Sequence, residues 1–245
     1  MPNTVSLNRN LIDLEYAVRG PLAIRAAELV KQGRDIILCN LGNPQALGQK
    51  PITFYRQILS LLEYPEAIIN ERKKGNLISK DVLNYTEDFL ANCKSLGAYT
   101  ESMGPLFIRD AVARFIDNRD DVTSSSGVVS DSNTIFLTDG ASAGARNIIE
   151  LLIADSKDGI MIPIPQYPLY SATIKRCSGV QVNYFPDEDN DWALNRDMLD
   201  ESIKGAREKG VNVKAIVVIN PGNPTGAILD EESINDVIKF AGEND

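Results

Sequence analysis

The second half of the chain alternates short apolar runs with longer helical stretches. The runs cover residues 135–137, 160–162, 180–182 and 215–219. Taken together, they lack the regular alternation of apolar and polar residues that is typical of a sheet with one solvent-exposed face. Helical connections of this length are typical of parallel strands. The rhythm therefore predicts an α/β fold in which a parallel sheet is covered by helices on both faces.

The first part of the chain is predicted to be mostly helical. Pro21 and Pro105 can each open a helix, and Ser79 can cap another. Apolar residues recur at helical spacing between Phe54 and Leu62.

Composition excludes several classes of protein. The chain has 25 Lys and Arg against 34 Asp and Glu, a net charge of −9, which argues against nucleic acid or an anionic membrane as a partner. It has no histidine, so Ser-His-Asp and Cys-His catalysis and most zinc sites are excluded, and we predict no metal site.

Location is predicted from the cysteines and from hydropathy. The three scattered cysteines favour free thiols in an intracellular protein, and no apolar stretch reaches the ~18 residues of a membrane span. We expect a cytoplasmic protein, with a mitochondrial location left open.

Three turns follow predicted strands, where parallel α/β sheets bind ligands. Residues 138–144 open a helix with small residues, which suits an anion, although a tight strand–helix turn is equally compatible. Residues 163–170 hold Tyr167 among three prolines, where it either stacks on a planar ligand or packs under the loop. Residues 220–226 read Asn-Pro-Gly-Asn-Pro-Thr-Gly, and a plain loop needs far fewer punctuating residues.

The last of these turns resembles the signature of fold-type I aminotransferases, which use pyridoxal 5'-phosphate. The other two turns precede it in the order expected for that family. Four more segments are similar to the N-terminal part of alanine aminotransferases, and they cover residues 15–20, 40–45, 49–54 and 98–104. The resemblance extends from about residue 15 to the last residue.

The resemblance implies a three-layer sandwich with a mainly parallel sheet, incomplete at the C-terminus. Residues 1–50 would form the N-terminal arm and the first part of the small domain. Residues 51–245 would form the first part of the large cofactor-binding domain. In such a sheet the strand at residues 135–137 lies at the far edge, so we expect it to be separated from the other strands here.

The resemblance also implies the roles of individual residues in binding pyridoxal 5'-phosphate. Ala141 and Ser142 would hold the cofactor phosphate at a helix N-terminus. Tyr167 would stack on the pyridine ring, and Asn223 would donate a hydrogen bond to its phenolic oxygen.

Two further roles involve the substrate and a second subunit. Gly42 would present its backbone to the substrate carboxylate. Tyr99 would reach the cofactor phosphate of the neighbouring subunit, because sites of this family lie at a homodimer interface. The expected substrates are an amino acid and a 2-oxo acid, exchanging an amino group between L-alanine and 2-oxoglutarate.

No catalytic residue is expected within these 245 residues. In the family a Schiff-base lysine, an aspartate and an arginine follow the Asn-Pro-Thr-Gly turn. The one lysine after Asn223 is Lys239, which is predicted to lie in a helix where the family's lysine does not. We therefore expect the isolated chain to be inactive.

Other functions remain open at this point. A glutamate–glyoxylate aminotransferase or a carbon–sulfur lyase would share the fold, and a non-catalytic remnant would share it without the lysine. A nucleotide-binding Rossmann domain is disfavoured because the chain lacks a G-x-G-x-x-G turn in register.

Overall fold

A computed structural model describes residues 7–14, 20–37, 42–75, 77–93, 96, 99–122 and 127–244. Parts of the segments that carry the alanine-aminotransferase resemblance, residues 15–19, 40–41 and 98, lie outside these ranges. The chain divides into two compact units, residues 42–138 and residues 1–41 with 139–245. The predicted domain boundary at residue 50 refers to the family's two domains and stays a prediction.

The helices and strands are numbered in chain order. The helices are α1 (Arg9–Ile12), α2 (Pro21–Lys31), α3 (Thr53–Glu63), α4 (Glu66–Lys74), α5 (Lys80–Asn92), α6 (Leu106–Arg119), α7 (Ala141–Leu152), α8 (Leu169–Arg176), α9 (Arg196–Glu208) and α10 (Glu231–Asn244). The strands are β1 (Asp158–Pro163), β2 (Val180–Tyr184) and β3 (Asn212–Ile216).

Strand β1 is buried along its whole length and lies at the centre of the sheet. Ile160 and Ile162 pack on one face with apolar residues of α7 and α8. Met161 packs on the other face with apolar residues of α9 and α10. Successive side chains of a strand point to opposite faces, so one apolar run serves two cores. Each such buried side chain stabilises the fold by roughly 1.5–3 kcal/mol. This confirms the predicted sheet with helices on both faces.

The strand order creates a crevice at one end of the sheet. The order is β2-β1-β3, and both pairs are parallel. The chain therefore leaves β1 toward β2 and returns to the opposite side of β1 as β3. The loops that follow β1 and β3 therefore lead to helices on opposite faces of the sheet, α8 on one and α10 on the other. Ligands bind in the crevice that such a reversal leaves at the carboxyl ends of the strands. Here the crevice lies between the ends of β1 and β3.

The unit of residues 42–138 has its own apolar cluster, in which α3, α4 and α5 pack together. Its buried members are Ile58, Leu61, Leu62, Ile68, Val82 and Leu83. The predicted helices after Phe54, Ser79 and Pro105 are confirmed as α3, α5 and α6. Helix α4 was not predicted from the sequence.

Two predicted strands differ from the observed ones. Residues 135–137 are extended but belong to no strand among the described residues, and the backbone N–H of Leu137 donates to the Met103 carbonyl at 2.9 Å. Their separation from the sheet is as expected. Strand β3 begins at Asn212 rather than residue 215 and ends at Ile216. The strand begins with a segment that contains the polar residues Asn212 and Lys214, so an apolar run does not mark its first residues.

A buried carboxylate ties the beginnings of β1 and β3 together. Asp158 accepts hydrogen bonds from the backbone N–H groups of Ala154 (2.8 Å) and Asp155 (3.2 Å) and from the Asn212 side chain (3.0 Å). The Lys214 ammonium lies 3.6 Å from the same carboxylate. These donors hold the pKa of the Asp158 carboxyl below its ordinary value, and the Ala154 N–H is the largest cause.

Asp158 is expected to make stability fall in acid. A lowered folded pKa means that its contribution is fully present above the ordinary value of 3.8 and is lost as the pH falls through the folded pKa. We expect Asp158→Asn to lower the melting temperature near neutral pH, with a difference from wild type that shrinks in acid. Thermal unfolding followed by circular dichroism at several pH values measures this difference. Asp88→Asn, at an exposed position of α5, is the control. A difference that stays constant down to about pH 3 would show that the charge of Asp158 contributes nothing.

Candidate functional site

The loops that follow β1 and β3 meet at the crevice. Pro163 at the end of β1 and Pro165 in the loop after it line the same small cavity as Gly222 and Asn223 from the loop after β3. The cavity measures about 40 Å³, whereas pockets that enclose small molecules measure roughly 300–1,000 Å³. A ring-sized ligand would therefore lie over these loops rather than inside the cavity.

Helix α7 ends near the beginning of the strands. A β-carbon at Gly179, just before β2, would lie 2.6 Å from the side chain of Ile153, just after α7. The C-terminus of α7 is thus near the beginning of the strands, and we infer from this that its N-terminus lies toward their carboxyl ends. Ala141 and Ser142 occupy the first turn and are exposed.

The turn before α7 has a backbone that only glycine adopts easily. Gly140 has φ 83° and ψ 168°, and the α7 N-terminus has no side-chain cap. The first N–H groups of a helix lack intrahelical partners and favour an anion. Arg146 adds a positive charge one turn further along, where its Nε donates to the Ser142 carbonyl at 3.2 Å. The start of α7 therefore suits a phosphate group.

The loop after β1 holds Tyr167 half-buried. Its neighbour Gln166 donates through Nε2 to the Ser171 hydroxyl at 3.0 Å, and this hydroxyl donates to the Pro168 carbonyl at 3.2 Å. The Oε1 of Gln166 is buried without a hydrogen-bond partner. An acceptor next to Tyr167 is therefore left for a donor that the described residues do not supply.

Internal hydrogen bonds hold the turn that carries Asn223. The Gly222 N–H donates to the Ala227 carbonyl and the Gly226 N–H donates to the Gly222 carbonyl, both at 2.8 Å. A β-carbon at Gly222 would collide with the hydroxyl of Thr225. Asn223 itself is exposed. The turn is fixed from within, so the side chain of Asn223 is available to a ligand.

A buried tyrosine supports both loops from below. Tyr184 ends β2 and donates its hydroxyl to the Val217 carbonyl, just after β3, at 2.7 Å. This bond spans the end of β1, because β1 lies between the two strands. Burial raises the pKa of Tyr184, so the hydroxyl stays protonated and remains a donor. Tyr184 and Trp192, which also line the cavity, were not predicted from the sequence, where an aromatic residue near a strand end is indistinguishable from core.

Gly42 and Tyr99 lie in the other unit. Tyr99 is 96% exposed. Among the described residues, no atom lies within 4 Å of a β-carbon placed on Gly42, which leaves room beside its backbone. The structure thus places the segments of Tyr167 and Asn223 at one end of a sheet, and the direction inferred for α7 adds those of Ala141 and Ser142. The roles of Gly42 and Tyr99 stay predictions.

Comparison with known proteins decides the family. The model of the family "Aminotransferase class I and II" matches residues 69–245. The chain belongs to the class I and II aminotransferase family.

Relatives and solved structures agree with this family. Glutamate–glyoxylate aminotransferase 2 of Arabidopsis thaliana is 45% identical over 96% of this chain and 48% of its own length. Alanine aminotransferase 2 of Panicum miliaceum is 42% identical over 96% of this chain and 50% of its own length. The crystal structure of an aminotransferase from Escherichia coli has a TM-score of 0.71 and 23% identity, covering 98% of this chain and 49% of that one.

These comparisons confirm the predicted fold. The chain has the fold-type I aminotransferase architecture, and it spans about half the length of the curated relatives it matches. Among the residues with described positions, no helix is long and apolar enough to cross a membrane.

The residues present fit pyridoxal 5'-phosphate. The start of α7 offers backbone N–H donors for the phosphate, and the other two loops offer an aromatic ring and an amide. The geometry of Gly140 makes the phosphate helix testable by itself.

Gly140→Ala is expected to destabilise the protein. An alanine at φ 83° and ψ 168° carries strain on the order of 1–3 kcal/mol, which would lower the melting temperature. Gly205→Ala is the matched control, because Gly205 lies in α9 with no atom within 4 Å of the added carbon. Alanine there should be neutral or slightly stabilising. Equal melting temperatures for the two variants would contradict the prediction.

Proposed function

We propose that this end of the sheet binds pyridoxal 5'-phosphate for transamination between L-alanine and 2-oxoglutarate. What supports it is a glycine-led helix N-terminus whose inferred direction is toward the sheet end that carries the Tyr167 and Asn223 loops. Family membership supports the same reaction class. We propose the activity for the full product of the gene, which includes these 245 residues, and we call it the native-length protein.

The residues of this chain would bind and orient the cofactor. The N–H groups of Ala141 and Ser142, with the Ser142 hydroxyl, would hold the phosphate, and the positive charge of Arg146 would favour it. Tyr167 would stack on the ring. Asn223 would donate its amide to the phenolic oxygen. The bound cofactor would supply the electron sink for loss of the α-proton.

A second subunit would complete the site. The cavity at the crevice is too small to enclose a ring, so water must be excluded by other groups. We propose that a homodimer provides them, with Tyr99 reaching the cofactor phosphate of the neighbouring subunit. Gly42 would present its backbone to the substrate carboxylate. The cytoplasmic location stays a prediction.

The residue that would bond covalently to the cofactor is proposed to lie outside these 245 residues. Lys239 is the one lysine after Asn223, and it lies exposed on α10 with its ammonium 3.8 Å from the Asp236 carboxylate. A lysine on that helix surface is engaged with solvent and with a surface carboxylate. The isolated chain would therefore bind the cofactor without turning over.

The role of Asn223 predicts weaker cofactor binding when its amide is removed. Asn223→Ala should weaken binding of pyridoxal 5'-phosphate roughly tenfold, since a hydrogen bond to a charged oxygen is lost. It should also shift the absorption band of the bound cofactor. Spectrophotometric titration of the native-length protein measures both effects. Asn147→Ala, at an exposed position of α7, is the control. Unchanged affinity and spectrum for Asn223→Ala would contradict the proposed contact.

A second candidate is glutamate–glyoxylate transamination, because relatives of that name are 45% identical to this chain. Initial rates with alanine and 2-oxoglutarate, and with glutamate and glyoxylate, separate the two functions. We expect the larger kcat/KM with alanine and 2-oxoglutarate in the native-length protein and no pyruvate from the isolated chain. A larger value for glutamate and glyoxylate would assign the second function. Pyruvate formed by the isolated chain would show that the catalytic lysine lies within it.

A further inference from the structure

Helix α6 contains a buried arginine that the proposed cofactor contacts do not use. The Arg109 side chain is only 5% exposed. A buried guanidinium is costly unless its donors are satisfied, so its partners indicate what it holds.

The three partners of Arg109 all lie outside α6. Its Nε donates to the Gly104 carbonyl at 2.8 Å, and its NH2 group donates to the Glu101 carboxylate at 2.9 Å. Its NH1 group donates to the Ser132 carbonyl at 2.6 Å. Two of these bonds are to one short turn, residues 101–104. The third is to Ser132, in the segment that leads to residues 135–137.

Other contacts fix the same turn. The Gly104 N–H donates to the Glu101 carbonyl at 2.8 Å, and Leu137 donates to the Met103 carbonyl at 2.9 Å. Gly104 has φ 95°, and a β-carbon there would lie 2.5 Å from the Leu137 side chain. These contacts restrain the turn, and Arg109 supplies its only charged support among the contacts described for it.

Tyr99 lies two residues before this turn and is almost fully exposed. A side chain that protrudes in this way is placed by its backbone rather than by packing around its ring. Holding a contact residue in place before binding improves affinity, since less freedom is lost when the complex forms.

We propose that Arg109 is a positioning residue, which holds the turn at residues 101–104 so that Tyr99 is presented to the cofactor phosphate of the neighbouring subunit. This inference rests on the proposed role of Tyr99. Arg109 is not among the proposed cofactor contacts, and the proposal requires its effect on binding to pass through Tyr99.

A double-mutant cycle tests this dependence. The variants are Arg109→Lys, Tyr99→Phe and the two combined, in the native-length protein. The probe is pyridoxamine 5'-phosphate, which has no aldehyde and binds without a Schiff base, and calorimetry gives its Kd. We expect each single variant to raise the Kd about tenfold, as for one lost hydrogen bond to a charged group, and the double variant to match Tyr99→Phe. Pyridoxamine without its phosphate should show no effect of either change.

The outcomes separate this inference from the proposed function. Arg109→Lys weakening the binding equally with and without the tyrosine hydroxyl would overturn the positioning role, and so would an unchanged Kd for Arg109→Lys beside a raised Kd for Tyr99→Phe. An unchanged Kd for Tyr99→Phe would overturn the proposed phosphate contact itself, and the inference with it.

Two further variants guard against a folding defect. Glu101→Gln keeps the size of the partially exposed partner and removes its charge, and it should reproduce part of the Arg109→Lys effect in the same Tyr99-dependent way. Arg114→Lys changes an exposed arginine of the same helix and should leave the Kd unchanged. A Tyr99-independent effect of Glu101→Gln would also overturn the proposal.

Discussion

The burial of β1 on both faces is the constraint on which the sheet and the loops at its carboxyl end depend. Ile160 and Ile162 serve one core and Met161 serves the other, so β1 cannot shift by one residue without exchanging the two. Because β2 and β3 pair with opposite edges of β1, this register also fixes where both neighbours end. The carboxyl end of β1 is therefore the fixed point from which the site is built.

The site combines rigid support with exposed functional groups. Asp158 ties the strands at their beginnings, and Tyr184 ties them across their ends through the Val217 carbonyl. Between these supports, the side chains proposed to bind the cofactor are exposed or half-buried. A site on short loops after buried strands gains precision from the sheet while its donors stay accessible. The turn that precedes α6 follows the same principle in the other unit, where Arg109 supplies the support.

Much of the fold could be predicted because local chemistry and tertiary structure agree. Pro21 and Pro105 stand at the beginnings of α2 and α6, where the fixed φ of proline suits a helix start. Ser79 occupies the N-cap position of α5 as predicted, but its side chain makes no capping hydrogen bond there. Strand β3 was placed too late because Asn212 and Lys214 are polar, and both belong to the Asp158 cluster. What stabilises these two polar residues in the strand is Asp158, which lies 54 or more residues earlier in the chain. A local sequence pattern cannot reveal a partner at that distance.

The sequence by itself determined the family and the residues proposed for the cofactor, because turns such as Asn-Pro-Gly-Asn-Pro-Thr-Gly need specific residues at adjacent positions and leave a legible pattern. Only the tertiary structure decided that β1 lies between β2 and β3, and therefore that the loops after β1 and β3 flank the crevice. It also decided that Arg109 is buried against Glu101, Gly104 and Ser132. Strand order and buried charge pairs are set by contacts between distant segments, so they cannot be predicted from the residue pattern of any short stretch of sequence.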